Sequence, residues 1–151
     1  MKVILAGNPN TGKTTLFNTL TNSFEHASNW HGVTVDVKQK QYEYAGKKFE
    51  VCDLPGLYSL DAYSKEEKIA SDFIKQNPDA IVVCILDANN LKRNLFLGLE
   101  LKEKTPNLIF AVNMANEVKN FDAKKLEKEI LDIKEENEED LISSIVYTLT
   151  S

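Results

Sequence analysis

Eight consecutive residues, Gly7-Asn8-Pro9-Asn10-Thr11-Gly12-Lys13-Thr14, fit the phosphate-binding pattern G-x-x-x-x-G-K-[ST] and restrict the fold more than any other feature of the chain. Such a loop works where a strand delivers it and a helix leaves it, because the first N–H groups of a helix lack intrahelical partners and face the anion. Both neighbours are present. Residues 2–6 form an apolar run suited to a buried strand, and from Thr14 onward Leu16, Phe17 and Leu20 recur at helical spacing. The pattern therefore predicts a nucleoside triphosphate site, with Lys13 reaching the terminal phosphates and the Thr14 hydroxyl on a magnesium ion. The bland alternative is an ordinary glycine-rich turn.

Short apolar strands and helical patterns alternate along the rest of the chain. Residues 33–44 and 48–53 read as a hairpin around Ala45-Gly46-Lys47, and Leu54-Pro55-Gly56 then breaks the chain. Ser64 caps a helix predicted to run to about residue 75, and Asn77-Pro78 introduces a strand over 80–87. A helix over 91–104, with Leu91, Leu95, Leu99 and Leu101 largely on one side, precedes a strand over 108–113. The predicted order is βαββαβαβ followed by a helix. It implies a three-layer α/β fold, a mainly parallel sheet with the hairpin as an antiparallel edge, and ligands at the carboxyl ends of the strands.

With 151 residues the chain suits one compact domain. Its formal charge of −5 is uneven: residues 122–140 hold nine acidic and four basic side chains, and the remainder is balanced. The acidity thus belongs to a tail. No basic stripe points to nucleic acid, and the longest apolar run, 80–86, falls far short of the roughly 20 residues a membrane span needs. The N-terminal apolar stretch is too short for a signal peptide, and Cys52 and Cys84 sit in separate apolar runs, as reduced core residues do. His26, His31 and the two cysteines show no metal-ligand spacing. A cytoplasmic location is the expectation.

Phosphate loops serve kinases, ATPases and GTPases alike, so the second set of groups aimed at the phosphates decides the class. Asp53-Leu54-Pro55-Gly56 supplies it: Asp53 closes a strand next to the first one, where its carboxylate can hold a magnesium-bound water. The Gly56 N–H can approach the γ-phosphate without a side chain in the way. Thr34, before the hairpin, can complete the magnesium shell. Loops ordered by the γ-phosphate and released when it leaves make a nucleotide switch. Taken singly, Asp53 reads equally well as a strand-end cap and Thr34 as an ordinary strand residue.

Three segments together resemble one family, the G domain of the bacterial ferrous iron transport protein B, FeoB. They are the loop continued as Gly7 through Thr15-Leu16-Phe17-Asn18, the segment Asn29-Trp30-His31-Gly32-Val33-Thr34-Val35, and Asp53-Leu54-Pro55-Gly56-Leu57-Tyr58-Ser59-Leu60. The resemblance covers residues 1–120. It implies a magnesium-dependent GTPase regulating ferrous iron uptake, tethered in the full protein to a polytopic inner-membrane region that this sequence does not contain. It further implies that Asn10 ligates a potassium ion bridging the phosphates, which acts as an arginine finger does. The competing role for Asn10 is a turn residue. Asn8, Pro9, Thr11, Gly12, Lys13, Thr14 and Thr15 would surround the phosphates with Gly32, Val33, Thr34, Asp53, Leu54, Pro55 and Gly56. Asn10, Lys13, Thr34 and Gly56 would act on the γ-phosphate. Leu57 stands where many GTPases carry a water-orienting glutamine, so slow intrinsic hydrolysis is expected, and His31 replaces the proline usual in this family.

The base pocket departs from the pattern. The N-K-x-D motif of GTPases appears as Asn113-Met114-Ala115-Asn116. An amide at Asn116 faces two guanine donors with one acceptor, and leaving one unmet costs about 1–3 kcal/mol, a tenfold to hundredfold loss of guanine affinity. Xanthine, with a carbonyl in place of the guanine amine, suits Asn116 better. Downstream, no sixth strand and no S-A-K type loop are expected; residues 122–136 and 138–150 read as two helices, a tail from 121 to 151 that weakly resembles the family's helical domain. The sheet edge would then be left open, and the C-terminal apolar helix would either cover it or pair with another chain, a second copy among them. A degenerate module that holds nucleotide without turnover and acts through protein contacts is the alternative to an active switch.

Overall fold

A computed structural model describes residues 1–21, 37–61, 63–132 and 146–148, with only the backbone of residues 127, 130–132 and 146–148. Six strands form one sheet in the order β2-β3-β1-β4-β5-β6. They are β1 (Lys2–Gly7), β2 (Lys38–Tyr44), β3 (Lys47–Asp53), β4 (Ile81–Asp87), β5 (Leu108–Asn113) and β6 (Val146–Thr148); the helices are α1 (Lys13–Thr21), α2 (Lys65–Gln76), α3 (Leu91–Lys104) and α4 (Ala123–Asp132). All neighbours run parallel except the β2–β3 hairpin. The hairpin turns on Ala45 and Gly46, both at positive φ (51° and 76°), the geometry that matches strand twist in a two-residue loop.

Period-two alternation sorts the strands' side chains onto two faces. Leu5, Val51, Ile85 and Ala111 meet Phe17 of α1 on one face. On the other, Ile4, Ala6, Cys52, Cys84 and Phe110 pack with Ala70 and Ile74 of α2, Leu97 and Leu101 of α3 and Leu126 of α4. Gly98 lets α3 come this close, since a Cβ there would sit 2.5 Å from the Phe110 ring. Ser64 caps α2 as expected, its hydroxyl accepting from the Glu67 N–H at 3.1 Å. Cys52 and Cys84 are buried and unbridged.

One sequence expectation fails. The helical spacing of residues 138–150 predicts a helix and no last strand, yet Val146, Tyr147 and Thr148 pair in parallel with Phe110, Ala111 and Val112. Leu141, Ile142, Ile145, Val146 and Leu149 do satisfy a helical period, but a short apolar run cannot be told from a buried strand by periodicity. Val, Tyr and Thr favour the pleated conformation, and β5 offers an unfilled row of backbone groups. The edge of β5 expected to be open is thus covered. Residues 133–145 of the expected tail helices, and residues 149–151 after β6, lie outside the described residues.

Candidate nucleotide site

β1 ends at Gly7, and residues 8–12 turn the chain back into α1. Asn10 and Gly12 make the turn at φ 65° and 89°, the left-handed region that asparagine tolerates and glycine enters without strain. A Cβ on Gly12 would also land on the side-chain nitrogen of Asn113. That nitrogen donates to the Thr11 carbonyl at 3.0 Å, while the Asn113 carboxamide oxygen accepts the Met114 N–H at 2.9 Å. Asn113, the first residue of the expected base-recognition motif, is the brace joining the phosphate loop to the end of β5. Thr11 turns its hydroxyl onto the Asn8 carbonyl at 3.0 Å and stiffens the loop from within.

Lys13 opens α1 and is only 7% exposed. Its ammonium pairs with Asp53 Oδ1 at 2.5 Å and with the Leu54 carbonyl, and Thr14 Oγ1 lies 3.4 Å from Asp53 Oδ2. The strand register explains this convergence: Asp53 lies beside Leu5, so the carboxylate at the end of β3 stands under the loop that leaves β1 two residues later. Beyond Asp53 the chain is pinned to β1, the Leu54 N–H donating to the Leu5 carbonyl at 3.2 Å and the Leu57 N–H to that of Gly7 at 3.0 Å. Gly56 lies directly on Pro9, where a Cβ would come within 3.0 Å of the Pro9 backbone. Leu57 is buried in the core and presents no group to the site.

A cavity of about 470 Å³ opens over these groups, within the usual size of small-molecule sites. Residues 8–10 and 12–15 line it, with Pro55, Gly56, Glu66 and Met114. The donors suit a polyphosphate: free helix N–H groups at the start of α1 and one ammonium. The Thr14 hydroxyl and Asp53 carboxylate are hard oxygen ligands of the kind magnesium takes. Asn8 adds a further sign, being buried with neither its amide oxygen nor its amide nitrogen partnered among the described residues. Leaving such groups unmet costs about 1–3 kcal/mol each, a need that a ligand and its hydration would satisfy.

Of the residues singled out from sequence, those of the phosphate loop and of the segment 53–56 come together here. Met114, the residue that follows β5, joins them at φ 60°. Asn116 lies exposed on the one-turn helix Ala115–Glu117 and does not line the cavity. Gly32, Val33 and Thr34 lie outside the described residues. Sequence reasoning missed Glu66, brought to the cavity as the second residue of α2, because its position after the capping serine marks a helix start and says nothing of what that helix faces.

A phosphate loop from the first strand, an Asp-Leu-Pro-Gly turn from its parallel neighbour and an asparagine brace from β5 define a P-loop nucleotide-binding domain of the G-protein type. The chain belongs to the ferrous iron transport protein B family, whose model matches residues 1–136. It is 51% identical over 102 residues to the Fe(2+) transporter FeoB of Methanocaldococcus jannaschii, covering 68% of this chain and 15% of that protein. The Campylobacter jejuni Fe(2+) transporter FeoB is 44% identical over 119 residues, 79% of this chain and 19% of its own length. The chain thus spans less than a fifth of these relatives. Among solved structures, the FeoB G domain from Methanococcus jannaschii superposes with a TM-score of 0.75 at 40% identity, over 99% of this chain and 85% of that one. A variant of S. thermophilus NFeoB bound to GDP and AlF4⁻ superposes with a TM-score of 0.78 at 33% identity, over 98% and 55%. Among the described residues, no helix is long and apolar enough to cross a membrane.

Proposed function

We propose that the chain is the GTP-binding and GTP-hydrolysing unit of a ferrous iron transporter, acting on the cytoplasmic side of the inner membrane to regulate Fe(II) uptake by a membrane region elsewhere in the full protein. The observation that carries this reading is the meeting of Lys13, Thr14 and Asp53 under the phosphate loop, with Gly56 seated on Pro9, in a chain of this family. Residues 1–120 hold the nucleotide machinery, and the later segment contributes α4 and the edge strand β6.

In this reading Lys13 exchanges Asp53 for the β- and γ-phosphates, and Asp53 turns with Thr14 and Thr34 to magnesium, through a water in the case of Asp53. A magnesium ion held there would supply neutralisation of the charge that develops on the phosphate oxygens. Gly56 offers its N–H to the γ-phosphate, and residues 7–15 cradle the phosphates with their backbone. Asn10, which lines the cavity, would be the ligand for potassium. Since Leu57 is buried and apolar, no side chain at that position orients the attacking water, and intrinsic turnover is slow. Asn116 weakens guanine recognition and favours a base with an acceptor in place of the exocyclic amine.

Calorimetric titration of the magnesium-loaded protein with non-hydrolysable GTP, XTP and ATP analogues, each in potassium and in sodium buffer, tests this reading. Binding of the GTP analogue, tighter in potassium and followed by phosphate release from GTP itself, is the expected result. Binding of the ATP analogue at least as tight as the others, or of none, would sink it.

A further inference from the structure

The nucleotide site leaves one polar cluster unexplained. Glu100, three turns into α3, turns its carboxylate onto the segment that follows Gly56: it accepts from the Ser59 hydroxyl at 3.0 and 3.2 Å and from the Leu60 N–H at 2.6 Å. Ser59 in turn accepts the Asp61 N–H at 3.0 Å. Two helical turns earlier on the same side of α3, the Arg93 guanidinium lies 4.4 Å from the centre of the Tyr58 ring. Residues 58–60 are thus held to α3, while Leu54 and Leu57 are held to β1 and Gly7. Gly56 lies between the two bonds to β1, and just beyond Leu57 a charge-assisted anchor follows, with a single carboxylate fixing a hydroxyl and a main-chain N–H.

We propose that Glu100 is a positioning residue for the γ-phosphate: its carboxylate sets the height of residues 56–60 over the phosphate loop and thereby fixes the Gly56 N–H. The proposal rests on the functional reading above and adds to it a residue that touches neither nucleotide nor metal. Its consequence is selective. A diphosphate ends before Gly56, so Glu100 governs affinity for the triphosphate and turnover, and leaves diphosphate affinity alone.

The test compares the unaltered chain with Glu100→Ala and Glu100→Gln, measuring affinity for GDP and for a non-hydrolysable GTP analogue, GTP turnover, and amide exchange at Leu60. Glu100→Ala is expected to weaken triphosphate binding and turnover about tenfold with GDP affinity held within about twofold, the loss of one charge-assisted contact. It is also expected to speed exchange at Leu60. Glu100→Gln keeps an acceptor oxygen and recovers most of each loss, which a purely structural disturbance of α3 would not predict. Equal losses for the two ligands, or none, would overturn the role of Glu100 while leaving the functional reading intact. If the unaltered chain binds neither nucleotide, the functional reading itself fails and takes this role with it.

Discussion

The phosphate end and the base end of the site are built by different means. At the phosphate end the decisive groups are buried and over-determined: Lys13 and Asp53 pair at 2.5 Å, only glycine fits at position 12 because Asn113 leaves no room for a side chain, and Gly56 rests on Pro9. At the base end Asn116 stands exposed on a single turn, outside the cavity that Met114 lines. In the proposed reading the phosphates are met by main-chain groups of the loop, which no side-chain change can retype, together with the buried Lys13 ammonium. In the proposed reading the base is met by one side chain, Asn116, which is exposed and can change without disturbing the core. The departure from the family pattern falls where the structure tolerates it.

That contrast predicts effects of different kind at the two ends. Lys13→Ala strikes the phosphate end twice, removing the cation that meets the phosphates and leaving Asp53 buried without its partner. Loss of a charged contact of this kind lowers affinity about a hundredfold. An unpaired buried charge costs about 3–5 kcal/mol of stability. Titration of the triphosphate analogue and urea unfolding of the same preparation check both, and a variant losing affinity with no loss of stability would show that the pair is not a structural element.

Asn116→Asp is the matching change at the other end, and it is expected to act on affinity alone. A carboxylate accepts from both guanine donors, so GTP affinity should rise about tenfold to a hundredfold and XTP affinity fall, with an unchanged unfolding midpoint. Unaltered affinities would mean that Asn116 never reaches the base, and the comparison between the two ends would lose its basis.

How much of this was legible beforehand follows the same division. The phosphate loop, the Asp53–Gly56 turn and the helix Leu91–Lys104 were readable because their signals are local: fixed spacing, glycine where backbone must approach, helical period. The edge strand Val146–Thr148 was not, because three residues carry no period and only the open row of β5 makes them a strand. The motif marks Asn113 as part of the nucleotide site, whereas its bond to Thr11 is tertiary and carries no sequence signal. Glu66, Arg93 and Glu100 gave no signal at all, since nothing in a helical pattern tells which loop its polar side will meet.

Between the two ends runs the trunk of the sheet, and a change there should separate stability from recognition. Gly98→Ala drives a Cβ toward the Phe110 ring, and overpacking of this kind costs about 1–3 kcal/mol, partly offset by up to about 1 kcal/mol of helix propensity. A lower unfolding midpoint with the ratio of GTP to XTP affinity preserved is expected from thermal melts and titration. A shifted ratio would show that α3 and β5 transmit packing to the base end.

The smallest effect concerns the two thiols on the same sheet face, on the strands flanking β1. Burial pushes Cys84 up to about 12, and burial with help from the Glu50 carboxylate pushes Cys52 up to about 11, against an ordinary value near 9. Folded-state values above the unfolded one mean that the native chain keeps protons which the unfolded chain releases, so this contribution is fully present below about pH 9 and is lost as pH rises toward 11 and 12. Unfolding midpoints in urea should therefore fall between pH 8 and pH 10, and Cys84→Ala should show a shallower fall. Native thiols should also resist alkylation at pH 8 until denaturant is added, because the thiolate is the reactive form and burial suppresses it. Rapid labelling of the folded protein would place at least one thiol within reach of solvent and open the trunk that both ends of the site stand on.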